Sequence, residues 1–153
     1  MSAQSTITTT PDTVTLGLSS VLAGSLPAAL MTADTPARYT VEAVFTRRPQ
    51  REEIVEMLGD ETREILVRSG YPAVELTVSD RRLEIANTTL EELRDGLGTI
   101  LADQLAAISD RALERRAAAA LRDERAAEAE RERAAAVVAL AASVSFRRAA
   151  QVE

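Results

Sequence analysis

The chain has 153 residues, a net charge of −6 and 46% hydrophobic residues, enough for one compact domain but not comfortably two. All 18 basic residues are Arg, and the chain holds no His and no Cys. Zinc and haem sites built from His or Cys, Ser-His-Asp triads, thiol nucleophiles and Schiff-base lysines are therefore excluded.

Two Phe, two Tyr and no Trp leave an aliphatic core. The negative charge argues against nucleic acid as a partner, because phosphate binding needs a concentrated positive face. No apolar run reaches the ~20 residues that span a bilayer. The first basic residue is Arg38, so a secretory signal is not expected and a cytoplasmic location is. Arginine in place of lysine, with heavy alanine use, suggests a GC-rich bacterial genome.

Residues 1–37 read as a flexible Ser/Thr/Ala-rich arm with only two charges, Asp12 and Asp34. Met1–Pro11 has almost nothing apolar to bury and is expected to be disordered. Val14, Leu16 and Leu18 alternate as in a strand. Leu18, Val21, Leu22 and Leu26 fit a short helix equally well. The arm is either loose or laid against a neighbour.

Arg38–Arg47 predicts a strand, with Tyr39, Val41, Ala43 and Phe45 on one face. Gln50–Ser69 predicts one amphipathic helix, with Ile54, Val55, Leu58, Thr62, Ile65 and Leu66 as its apolar face. Gly70 and Pro72 end it. Ala73–Ser79 predicts a second strand, Ser79-Asp80-Arg81 a turn, and Leu83 and Ile85 a short third strand. From Thr88 to Arg148 the chain reads as a single long helix. Thr88 with Glu91, and Thr89 with Glu92, form a double capping signal at its start. Leu90, Leu93, Leu97, Ile100, Leu101, Leu105 and Ile108 make one stripe. A rod of Ala, Arg and Glu follows, with Arg125, Glu128, Arg131, Glu130 and Arg133 spaced for ion pairs. Val137, Leu140, Ala141 and Val144 then restore an apolar face.

The fold class expected is α+β. A three-stranded antiparallel sheet in β-α-β-β-α order, with the third strand between the first two, spans residues 38–111. Residues 112–153 form a helical extension. This order resembles a ferredoxin-like fold lacking its last strand. The first strand's outer edge is then bare and should be covered, by Val14–Leu18 or by a second subunit.

The carboxylates Glu52, Glu56, Asp60 and Glu64 recur every four residues, but one helix face rarely converges on a cation, and they read as solvated. Arg47, Arg48 and Arg51 stand at a strand-to-helix junction where an anion could bind; local neutralisation by Glu52 and Glu53 is the preferred reading. No catalytic residue, cofactor site or metal site is assigned. The expected function is a non-enzymatic assembly or adaptor protein. It would self-associate as a homo-oligomer or dock a protein partner through sheet edges and through Val137, Leu140, Ala141 and Val144. The alternative is a small ligand-sensing or carboxylate/arginine-based catalytic domain that oligomerises through the helix.

Overall fold

The computed structural model describes residues 14–149; the disorder expected over Met1–Pro11 lies outside the described residues. The chain divides into two units after Leu113. The first is an α+β unit. Its sheet has four strands, β1 (Leu18–Val21), β2 (Tyr39–Phe45), β3 (Glu75–Ser79) and β4 (Arg82–Thr88), in the order β1-β2-β4-β3. Every neighbouring pair is antiparallel.

The three-strand expectation is thus corrected. β4 does lie between β2 and β3, but the position beside β2 is filled by upstream chain. Leu18 pairs with Phe45 and Val21 with Ala43, with an irregularity between Leu18 and Ser20. The strand sits later than the alternation at Val14–Leu18 suggested. The physical reason is Leu16, which is buried. Its amide donates to the Ser109 hydroxyl at 3.1 Å, so Leu16 is committed to the core, and pairing with the sheet side begins only at Gly17, whose carbonyl accepts from the Thr46 amide at 2.8 Å.

One face of the sheet carries Val41, Ala43, Phe45, Leu83 and Ile85, all buried, as the alternation required. The helices cover it. The segment read as one helix over Gln50–Ser69 is two: α1 (Arg51–Met57) and α2 (Asp60–Arg68). The break falls at Gly59, whose position would bring a Cβ within 3.2 Å of the Val55 carbonyl oxygen. A break changes the phase of the wheel. Met57 and Leu66 enter the core, while Val55 and Leu58, expected inside, are exposed.

The long helix is also interrupted. A first turn, α3 (Leu90–Glu92), runs into a π turn at Leu93–Leu97, and α4 spans Gly98–Ala142. Thr89, not Thr88, is the cap, its hydroxyl accepting from the Glu92 amide at 3.1 Å. Thr88 is fully buried. The Tyr39 hydroxyl accepts from the Leu90 amide at 2.8 Å, so a sheet residue satisfies another orphan donor of the helix start.

In the π turn the Gly98 amide bonds back to the Leu93 carbonyl, five residues away. Both glycines that weaken the sequence pattern are explained by close approach. A Cβ on Gly98 would lie 2.7 Å from the Leu93 oxygen, and one on Gly96 would lie 2.9 Å from the Tyr71 hydroxyl. From the last residue of the turn onward, Leu97, Leu101, Leu105, Ile108 and Ala112 are buried in series.

The second unit begins at Glu114 and contains the rest of α4. The helix stops at Ala142 rather than continuing to Arg148. Ser143 turns its hydroxyl onto the Leu140 carbonyl at 2.6 Å, a local bond that competes with helix continuation. Of the ion pairs read from spacing, Glu130–Arg133 forms two hydrogen bonds, at 2.9 and 2.6 Å. Arg133 therefore holds the Glu130 carboxyl below its ordinary range.

Candidate interaction surfaces

The three arginines at the strand-to-helix junction do not act together. Arg47, at the end of β2, turns inward and is 8% exposed. Its Nη1 and Nη2 donate to the two oxygens of Glu53 at 2.7 Å each. Nε donates to the Val14 carbonyl at 2.6 Å, Nη1 also to the Arg48 carbonyl at 3.2 Å, and Nη2 to the Ser109 hydroxyl at 3.3 Å. A guanidinium has five N–H donors, and these five contacts use all of them. Glu53 is fully buried and also accepts from the Gln50 amide at 2.8 Å. The pair is a structural knot, tying the chain before β1 to α1 and α4. Arg48 instead reaches the exposed carboxylate of Asp80 in the β3–β4 turn, and Arg51 is exposed in the first turn of α1. The anion cluster suggested by proximity in sequence is split by side-chain direction. Sequence reasoning placed Glu53 on the polar face. The Gln50–Glu53 capping box was the available signal that its carboxylate turns back toward its own N-terminus.

The acidic series Glu52, Glu56, Asp60 and Glu64 is not gathered on one centre. Glu56 is bridged to Arg111 at 3.3 Å, and among the described residues no cluster of three or more acids could hold a metal ion. No helix of the described residues is long and apolar enough to cross a membrane.

The apolar face near the end of α4 is accessible. Val137 is 52% exposed, Leu140 70% and Val144 56%, and Ala141 is exposed with them. Val138, 69% exposed, and Phe146, 98% exposed, stand nearby in sequence. Val144 lies just past the helix end, its amide bonded to the Ala141 carbonyl at 3.2 Å.

The first unit offers two concavities beside its edge strands. One, of about 280 Å³, lies between β3 and the α1–α2 junction and is lined by Met57, Thr62, Arg63, Leu66, Leu76 and Thr77 among others. The other, of about 370 Å³, lies between β1 and the start of α4, with Ala43 and Ile85 as floor and Leu93, Arg94 and Gly98 along one wall. Arg94 is held by its neighbour Asp95 through bonds of 2.8 and 3.2 Å. That contact holds the Asp95 carboxyl below its usual range.

No protein family, curated protein or solved structure matches the chain. Function is therefore argued from these surfaces.

Proposed function

We propose that the protein is a non-enzymatic assembly or adaptor protein of the cytoplasm. Its α+β unit is one module, and the apolar face at the end of α4 docks a second protein chain, most simply another copy. The observation that carries this reading is the exposure of Val137, Val138, Leu140, Val144 and Phe146 within ten residues of sequence. Burying a Val, Leu or Phe side chain stabilises by roughly 1.5–3 kcal/mol. Leaving Val137, Val138 and Leu140 in water on a helix otherwise built of Ala, Arg and Glu, with Val144 and Phe146 just past its end, forgoes that gain. Valine is also a poorer helix former than alanine, so propensity gives no reason for Val137 and Val138.

The test is Leu140→Asp with Val144→Asp in the full chain. Sedimentation or light scattering should report a smaller mass or a released partner, with the melting of the α+β unit unchanged. Unchanged mass, helicity and partner binding would remove the main support for the adaptor reading.

A ligand-sensing head is the second reading, favoured by the groove of about 370 Å³ against β1, which falls in the size range of small-molecule sites. Its apolar floor suits an apolar chain, and a carboxylate head would have to take Arg94 from Asp95. A thermal upshift with medium-chain fatty acids that disappears in Arg94→Ala would support it.

A further inference from the structure

The sheet has two edges, and they differ. β1 has four residues and an irregular register. β3 has five, in unbroken register with β4 from Glu75–Ala86 to Ser79–Arg82. Within the described residues β3 pairs with β4 alone. The direction of its free groups follows from the ladder. The Arg81 carbonyl accepts from the Phe45 amide at 2.8 Å, so alternate residues 81, 83 and 85 turn their backbone groups toward β2. Residues 82, 84 and 86 therefore face β3 and bond Ser79, Thr77 and Glu75, their register partners. Leu76 and Val78 are left with amide and carbonyl pointing away from the sheet.

We infer that β3 pairs antiparallel with β3 of a second copy, across a two-fold axis at Thr77, to give one continuous eight-stranded sheet. The strand Glu75-Leu76-Thr77-Val78-Ser79 is close to self-complementary about its centre. In this register Leu76 of each copy exchanges backbone hydrogen bonds with the partner's Val78, using the groups left free. Thr77 faces the partner's Thr77 in a non-hydrogen-bonded pair, a favourable cross-strand combination. Glu75 faces the partner's Ser79, toward the basic turn at Arg81 and Arg82. A two-fold at Glu75 would instead oppose two carboxylates, which is destabilising. On the helix side, Leu76 and Val78 are half-buried. The concavity of about 280 Å³ beside them has room for the inward-facing side chains of an added strand. A peptide of unrelated sequence could use the same edge, but it is the match of the strand to itself that selects a second copy.

This inference rests on the assembly reading but on a different surface, and the experiment separates them. The chain has no Cys, so Thr77→Cys in the full chain introduces a single thiol. Facing residues in a non-hydrogen-bonded pair have Cα atoms about 4.5 Å apart, within disulfide reach. Under mild oxidation most of the Thr77→Cys protein should run as a covalent dimer, while Thr40→Cys, exposed on β2 in the middle of the sheet, should stay single. The dimer should still form when Leu140→Asp and Val144→Asp are added. No more cross-linking at residue 77 than at residue 40 overturns the inference; a mass still sensitive to the two Asp substitutions would then leave the helix reading standing. Cross-linking lost when the Asp substitutions are added also overturns it, since the edge contact would only follow from the helix contact.

Discussion

Removing one side of the Arg47–Glu53 pair should damage the α+β unit more than any surface substitution. In Glu53→Ala the guanidinium, 8% exposed in the folded protein, loses its two 2.7 Å contacts to the carboxylate. The Val14 and Arg48 carbonyls and the Ser109 hydroxyl still accept from it, but they are neutral. Breaking a buried pair in this way costs about 3–5 kcal/mol, against a total stability of roughly 5–15 kcal/mol for a domain. For a unit of this size that is a fall in Tm of roughly 10–20 °C. Arg47→Ala should cost a similar amount, because the fully buried Glu53 carboxylate loses both bonds from the guanidinium. The double change Arg47→Met with Glu53→Leu removes both charges of the pair and should cost far less than the sum of the single changes. Urea melts followed by circular dichroism read all four proteins. If either single variant loses less than about 1 kcal/mol, the pair is solvated in solution and the reasoning fails.

Leu101→Ala, in the buried stripe of α4, should cost roughly 2–5 kcal/mol; a loss below 1 kcal/mol would place that face in solvent. Gly96→Ala should destabilise by ~1–3 kcal/mol through overpacking, and adding Tyr71→Phe should recover part of it, since the tyrosine hydroxyl is the atom in the way. A Tyr71→Phe background that gives no recovery in a thermal melt would locate the strain in the backbone instead. Helicity should stay constant from alkaline pH through neutrality, the chain having no His and no Cys. Arg133 lowers the Glu130 pKa, so the contribution of this pair is fully present above the ordinary glutamate value and is lost as pH falls through the lowered one. A helicity change centred near neutral pH would contradict this assignment.

β2, β3 and β4 were legible because each keeps strict alternation and faces solvent on one side, so burial has only one solution per strand. The placement of β4 between its neighbours followed from the tight turn at Asp80, which adopts φ 54°, and from the crossover through α1 and α2. β1 was not legible. Ser19 and Ser20 carry no pattern, and the strand exists because Leu16 is anchored by Ser109 and because the edge of β2 offers partners. The break between α1 and α2 escaped for a different reason: a single glycine, Gly59, is compatible with a continuous helix, and only the contacts of Met57 decide otherwise. Inward Arg47 was hidden by composition, since two neighbouring arginines and two neighbouring glutamates look interchangeable in a sequence and are not in a fold. The return of apolar periodicity at Val137, Leu140 and Ala141 was legible after a stretch that has none, whereas the helix end at Ala142, which leaves Val144 outside it, was not.

The knot around Arg47 also fixes when, during synthesis, the first unit can close. Its members come from residues 14 to 109, and the Leu16–Ser109 bond joins residues separated by 93 positions. A chain growing from its N-terminus has Arg47 and Glu53 early but lacks the hydroxyl that links them to Leu16, and the helix that covers the sheet, until α4 is made. Such long-range closure slows folding relative to locally connected helical folds. Residues 114–149 are added after every member of the knot exists. At ~5–20 residues per second the residues between Ser109 and Val137 take roughly 1–5 s, a delay in which the unit can shut its core before the apolar end of α4 emerges to meet another chain.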